Sequence, residues 1–370
     1  MGAICHRSPW LTPEVETVGR GEVFNNINTE KEDSMGRKSL EVMVGITVVI
    51  FLVASLSAAA WAAEITLKLG HPAPPGPSSH DVGAKKLAEL IATNTAGKVE
   101  VKVFGNSQFG SLQEHFAQLK TGAIDLFVED ACAGFLVEPE PKNFIVTMFP
   151  YVFDSQDQVK RFYRSDLAKS MIAKIEKAAE IKFLGYIGDR GPRSFSSTNK
   201  RITTPDEMKG LKLRVPAVPP FVAAYKSWGA TPTPIDAKDV YTSIKSGMVE
   251  GMDMDIATLY ASKWYEIQKY FVAINYMRSG LACYVSAKRW NSLSQELQAA
   301  FLKSAQQTET YLSDFTAQQI VDAEKGITQA GLEIIRPDLK PWMALAEKEV
   351  RNNEGKLYEA GIYDKIKALK

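Results

Sequence analysis

Two α/β lobes around a cleft, braced by one long helix, is the fold the sequence predicts, on three observations. Strand-like and helix-like spacings alternate from Ile65 to Val128. The alternation resumes from Phe183 to Asp253. A helical spacing then runs from Ser294 to about Gln329, interrupted by no proline and by one glycine, Gly326.

The elements follow in order. Ile65 to Gly70 alternates Ile and Leu against Thr and Lys, a strand with one apolar face. A Pro- and Gly-rich loop from His71 to Pro77 leads to a helix that Ser78 or Ser79 can cap, closed by Gly97. Val99 to Phe104 is a second alternating strand. Leu112, Phe116 and Leu119 mark an amphipathic helix ended by Gly122, and Ile124 to Val128 a third strand. Strand and helix in strict alternation mean a parallel sheet. In the second region Phe183 to Ile187 reads as a strand. Thr204-Pro205-Asp206-Glu207 is a capping box with Pro at the first helical position, and Gly210 closes that helix. Leu211 to Val215 is a strand. Pro219 and Pro220 open a helix with Phe221, Tyr225 and Trp228. Asp236 caps another, bearing Val240 and Ile244 and stopped by Gly247; Val249 to Asp253 is the next strand. Leu297, Phe301, Ala305, Thr308, Leu312, Phe315 and Ile320 keep helical spacing in the third region. A helix of some thirty residues is ~45 Å long, more than one small lobe, so it braces two. Pro341 to Leu369 reads as further helix.

The chain of 370 residues is long enough for two domains, with a formal net charge of +1 and 45% hydrophobic residues. No Lys/Arg-rich run points to nucleic acid, and none is expected as a partner. Arg37 and Lys38 precede an uncharged stretch from Val42 to Ala63 that ends in Ala60-Trp61-Ala62. Basic, apolar, then small-x-small is the order of a secretory signal, so export with cleavage after Ala62 is expected; an uncleaved membrane anchor is the alternative. Residues 1–34 fit neither export nor a fold, and Met35 is a candidate true start, with the codons for Lys31-Glu32-Asp33 able to form a ribosome-binding site. Export permits a disulfide between Cys132 and Cys283, but both sit in apolar surroundings, and two separate buried thiols is the preferred reading.

The search for catalysis is thin. There is no G-x-S-x-G, no H-E-x-x-H, no G-x-G-x-x-G after a strand and no phosphate loop. Past the leader the histidines are His71, His80 and His115, on different elements and without metal-ligand spacing, each read as surface or structural. His71 is of interest because it follows the first strand's C-terminal end. No metal and no cofactor is expected. In open α/β sheets ligands bind beyond the carboxyl ends of strands. Arg214 is the second-last residue of its strand, on the face opposite Leu213 and Val215. Its planar fork suits a carboxylate, which Lys cannot match; a surface salt bridge is the plain alternative. Arg193 follows the strand Phe183–Ile187 in a loop, with Arg190 as a competitor there. Asp253 and Asp255, and likewise Glu129 and Asp130, end strands and can accept hydrogen bonds or pair with Arg. Tyr276 and Phe221 can supply apolar walls, or simply core.

The segment Glu207-Met208-Lys209-Gly210-Leu211-Lys212-Leu213-Arg214-Val215-Pro216 resembles the signature of the periplasmic binding proteins of tripartite ATP-independent periplasmic (TRAP) transporters, the DctP-like family. The resemblance continues through Ser107-Gln108-Phe109-Gly110, Phe149-Pro150-Tyr151-Val152-Phe153, Gly229-Ala230-Thr231-Pro232-Thr233-Pro234, Val249-Glu250-Gly251 and Lys263-Trp264-Tyr265-Glu266-Ile267-Gln268-Lys269, over roughly Glu64 to Lys370. It implies a two-lobed periplasmic binding protein fold of type II-like form: lobe I from 63–189 plus 281–319, lobe II from 190–280 plus 320–370. It implies that Arg214 binds a substrate carboxylate, with Arg193, in Gly191-Pro192-Arg193, matching a second family arginine. It also implies a periplasmic monomer that hands a small organic acid to TRAP membrane subunits. Sialic-acid-binding members carry a ligand-contacting Asn where this chain has Met252-Asp253-Met254-Asp255, which argues against that ligand. Those two acids, unless neutralised, favour a hydroxylated or amino-bearing monocarboxylate. The competing readings are an exported enzyme, whose mark would be a pair such as Asp253 with His71, and a binding protein that presents ligand to a sensor.

Overall fold

The computed structural model describes residues 63–369. The leader, cleavage after Ala62, a start at Met35 and Cys5 lie outside the described residues. The chain opens with β1 (Ile65–Gly70), β2 (Val99–Phe104), β3 (Leu126–Asp130) and β4 (Ile181–Asp189), then passes to β5 (Arg193–Ser197), β6 (Lys212–Val215), β7 (Thr231–Pro234), β8 (Gly251–Asp255) and β9 (Tyr270–Met277). It returns with β10 (Gly280–Ser286), and β11 (Glu333–Ile335) follows the long helix.

These strands make two sheets. The first has the order β2-β1-β3-β10-β4 and the second β11-β9-β5-β8-β6-β7. Strand β1 is parallel to β2 and β3, as the alternating helices predict, while β10 runs antiparallel between β3 and β4. The chain crosses between sheets at residues 190–192 and at Arg278-Ser279. A two-lobed α/β fold is therefore present, with two strand connections and one helix joining its halves.

Local chemistry explains the helices. Ser78 caps Ser79–Asn94 by accepting from Asp81 N, and Ser111 with Glu114 forms a capping box for Leu112–Thr121, which Gly122 ends in the left-handed region. Ser294 caps a single unbroken helix, Gln295–Gln329. Its first half buries Phe301, Ala305 and Leu312 against the core of the first sheet, and its last part buries Ala323 and Ile327 with Val249, Met252 and Phe271 of the second. At 35 residues it is about 52 Å long. The brace depends on close approach at Gly188, whose φ is +140° and where an added Cβ would lie 2.5 Å from Leu312 Cβ. Gly188→Ala is expected to destabilise the fold by about 1–3 kcal/mol through overpacking. Urea unfolding measures this, and a midpoint unchanged within error would refute the contact.

Several strands escaped the sequence reading. All five residues of β5 and all seven of β10 are buried, so neither shows the alternation of a half-exposed strand. The helices Gln156–Arg164 and Asp166–Ala179 were likewise not anticipated. Strands β3 and β8 end two residues later than expected, because Glu129, Asp130 and Asp255 are polar yet lie within the ladder. Arg193 is corrected from a loop position to the first residue of β5, paired with Asp255 of β8 and Met277 of β9. Cys132 and Cys283 are both free and buried. Cys132 belongs to the core on one side of the first sheet and Cys283 to the core on its other side.

Candidate binding site

A cavity of about 200 Å³ lies between the sheets, lined by Glu129 and Asp130 from β3, Arg190 from the first crossing, and Arg193, Arg214 and Phe221 from the second sheet and its following helix. The three arginines are only 7%, 3% and 3% exposed, and a buried guanidinium requires a counter-charge. Two of them have one in the protein.

Arg193 is clasped by Asp253. Its Nε donates to Asp253 Oδ1 at 2.8 Å and its Nη2 donates to the same oxygen. Asp253 Oδ2 accepts from Tyr225 at 2.9 Å and from Tyr276 at 2.6 Å, so both carboxylate oxygens are filled. Burial alone would lower the Arg193 pKa, but Asp253, then Tyr276 and Asp130, outweigh it and push the guanidinium above its ordinary range. The Phe221 ring lies 5.0 Å from the Arg193 Cζ and supplies a cation–π face.

Arg190 bridges the sheets. Its Nη1 donates to Asp130 Oδ2 at 2.5 Å, and its Nε to Asp255 Oδ2 at 3.2 Å. Asp130 also accepts from Ser279 Oγ at 3.0 Å, on the other crossing segment. Asp255 caps the helix Ile256–Ala261 through Thr258 N at 2.8 Å.

Arg214 differs. Its Nε donates to the Ile235 carbonyl at 2.8 Å and its Nη1 reaches the Asp253 carbonyl only at 3.5 Å. No carboxylate among the described residues pairs with it, whereas Arg190 and Arg193 both have one. A guanidinium carries five N–H donors, so at least three remain for the cavity. Burial, and then repulsion from Arg193, lower its pKa to about 10, which still leaves it charged at neutral pH.

The structure brings Arg214, Arg193, Glu129 and Phe221 together on the cavity wall. It places Asp253, Asp255 and Tyr276 behind that wall, where they hold the arginines. His71 is fully buried, off the lining, with Nε2 3.2 Å from Asp81 Oδ1. His80, read as surface or structural, lines the cavity, with Nε2 3.4 Å from Glu129 Oε1. The signal for it was weak: a histidine on the second residue of a helix carries no periodicity. Asp253 and Asp255 are neutralised by arginine, so their proposed repulsion of a second ligand carboxylate lapses. A second hollow of about 420 Å³ borders the first sheet at β4, but its cations are already paired, Lys160 with Asp189, Arg164 with Glu309, Lys169 with Asp166 and Lys182 with Glu176. Among the described residues no His, Cys, Asp and Glu cluster is placed to hold a metal.

Burial and the neighbouring His80 lower the His71 pKa to about 4, although Asp81 opposes them. An unfolded histidine titrates near 6.5. A depressed folded pKa means the unfolded chain takes the proton first, so stability is full above about pH 6.5 and falls by up to about 1.4 kcal/mol per unit between pH 6.5 and 4. In His71→Gln that slope should flatten; parallel pH–stability curves for the two proteins would rule His71 out as its source.

Two α/β halves with a cavity between them, on whose wall one guanidinium has no carboxylate partner among the described residues, define a ligand-capturing protein. The chain belongs to the DctP family, bacterial extracellular solute-binding protein family 7, whose model matches residues 69–356. Its function is that of the family, capture of a solute for transport. It is similar to the 2,3-diketo-L-gulonate-binding periplasmic protein of Escherichia coli, 26% identical over 78% of this chain and 87% of the relative. It is 27% identical to the C4-dicarboxylate-binding periplasmic protein of Rhodobacter capsulatus, over 80% of this chain and 86% of that one. Among solved structures, a TRAP periplasmic solute-binding protein of Roseobacter denitrificans with bound L-galactonate superposes with a TM-score of 0.74 at 24% identity, covering 83% of this chain and 99% of that one. No helix among the described residues is long and apolar enough to cross a membrane.

Proposed function

We propose that this protein is the periplasmic subunit of a TRAP transporter, freed by cleavage after Ala62, that binds a small organic acid by its carboxylate and delivers it as a monomer to the TRAP membrane subunits. The observation that carries the reading is Arg214, a buried guanidinium on the cavity wall that no carboxylate among the described residues pairs with. A ligand carboxylate supplies the missing counter-charge, and a planar fork binds it at two oxygens. Arg193, fixed by Asp253, stands beside it. The bodies that close are 63–189 with 281–319, and 190–280 with 320–370. As the lobes close, water leaves and the ion pair is less screened.

Binding, not turnover, is the role. A pair such as Asp253 with His71, which would mark an enzyme, stands apart: Asp253 is filled by Arg193, Tyr225 and Tyr276, and His71 sits by Asp81. The test is thermal unfolding with a panel of sugar acids, dicarboxylates, 2-oxo acids, aromatic acids and amino acids. A ligand at a hundred times its dissociation constant stabilises the fold by about 2.7 kcal/mol. An acid should raise the midpoint and be recovered intact. A response to neutral sugars alone, or conversion of the ligand, would refute the reading.

A further inference from the structure

The rim of the cavity is built from both halves. Ser111, Leu112 and Gln113, at the start of the helix Leu112–Thr121, line it from the first half. Ile235, Asp236, Ala237 and Lys238, just past β7, line it from the second. Gln113, Asp236 and Lys238 are exposed, which places these segments at the opening rather than the floor. Four charges stand there: Glu114, Asp236, Lys238 and Asp239. None of them has an ion-pair partner among the described residues, unlike the deeper Asp130, Asp253 and Asp255. Glu114 Oε2 accepts from Ser111 N at 2.6 Å, and its Oε1 receives no hydrogen bond from the described residues. The bonds to Ser111, and then the fields of His115 and Lys238, hold its carboxyl below the usual range, so it is charged at neutral pH. Asp236 instead acts on Arg214, whose charged form it favours. Asp239 is exposed at the start of the helix Val240–Lys245.

We propose that Lys238 and Glu114 form an electrostatic latch across this opening, an ion pair made as the halves draw together that holds the cavity shut over its solute. The proposal rests on the reading that the halves close, and not on which solute they hold. At the rim the first half offers Lys238 one acid, and the second half offers Glu114 one cation. Lysine's flexible four-carbon stem lets the ammonium reach from its own loop to the opposite one. That loop is tied to the site it guards. Arg214 Nε donates to the Ile235 carbonyl at 2.8 Å, and Ile235 N donates to Val215 O at 3.0 Å, so Lys238 and Arg214 move as one body. An exposed ion pair is weak, changing an equilibrium by up to about fivefold. A latch of that strength slows escape without trapping the solute, which a protein that must deliver its cargo requires.

Two readouts test the latch on the purified protein without a solute. A carbodiimide joins a lysine amine to a carboxylate only where the two touch, and peptide mass spectrometry then identifies the pair. Lys238 should be joined to Glu114. Lys86 and Glu89, 2.7 Å apart on one helix, are the internal standard, since lobe motion leaves them together. Relative to them, the Lys238–Glu114 link should fall about threefold or more between about 0.01 and 1 M salt, as the screening length drops from about 30 to 3 Å. Phenylglyoxal, which modifies guanidinium groups, reads the opening itself: buried Arg214 reacts only when the cavity is open, whereas exposed Arg161 reacts throughout. Lys238→Gln should speed modification of Arg214 relative to Arg161 by about 1.5- to 5-fold. Glu114→Gln, which keeps an acceptor for Ser111 N, should do the same, and the double variant should go no further. The cross-link is read on the wild type, so a variant that fails to fold leaves the test intact. The latch is overturned if the standard forms and the Lys238–Glu114 link does not, or if Lys238 is joined to Asp236 or Asp239 in its place. It is equally overturned if salt leaves the ratio unchanged, or if the two substitutions act additively or not at all. If the link forms and no acid raises the unfolding midpoint, the latch stands and the carboxylate reading fails.

Discussion

Arg214→Ala should weaken binding of the cognate acid by about thirty-fold or more. Truncating one partner of a buried, hydrogen-bonded charge pair typically costs about 2–5 kcal/mol, much of it from leaving the other charge unpaired. Arg214 fits that case because neither neighbouring guanidinium is free to replace it: Arg193 is already committed to Asp253, and Arg190 to Asp130 and Asp255. The fold should tolerate the change, since the side chain's own protein bonds are to carbonyls. Arg214→Lys should bind with intermediate affinity, because an ammonium presents a point charge and no fork. Affinity of the wild type should also fall as the pH rises through about 10, where the lowered pKa lets Arg214 lose its proton. Titration calorimetry on the three proteins reads these effects. An alanine variant within threefold of wild type would sink the assignment.

Asp253→Ala should be the most damaging single substitution to stability, at about 3–5 kcal/mol. Asp253 is fully buried and accepts from Arg193 twice, from Tyr225 and from Tyr276. Its removal leaves a buried guanidinium without a counter-ion and two buried hydroxyls without an acceptor, each a cost of its own. Asp253→Asn should lose less, since the amide keeps one acceptor oxygen. Tyr225→Phe and Tyr276→Phe should each cost about 0.5–1.5 kcal/mol, the net worth of one hydrogen bond. Urea unfolding measures the series. A loss below about 1 kcal/mol for Asp253→Ala would mean that solvent or a neighbour compensates the cluster.

The difference between Arg214 and Asp253 also marks how far the sequence could be read. Arg214 was legible because a strand's alternation is local: Leu213 and Val215 turn inward, so Arg214 faces the other way, one residue short of the strand end. Asp253 was visible as a polar strand residue, but its partners lie 60, 28 and 23 positions away, and no local pattern connects them. Its role as the anchor of Arg193 comes from the register of β5 on β8, where Arg193 and Asp255 are opposite. The same limit hid β5 and β10. A strand buried on both faces loses its period, and the run Arg193-Ser194-Phe195-Ser196-Ser197 resembles a loop in composition. The cap at Ser78 was legible for the opposite reason: it acts on the amide of Asp81, three residues away, and the sequence offers Ser78 or Ser79 as the start of that helix.

Arg190 sits on a connection between the sheets and grips an acid from each. Any motion that parts the sheets draws Asp130 away from Asp255, and one guanidinium can follow only one of them. The acid left behind must then be met by water. The resting balance between shut and open is therefore set partly by side chains that are present whether or not a solute is. A measured dissociation constant reports that built-in preference together with the ligand's own contacts. Two ligands with the same contacts would share the same offset, and a change at Arg190 would move the affinity for every one of them by a common factor.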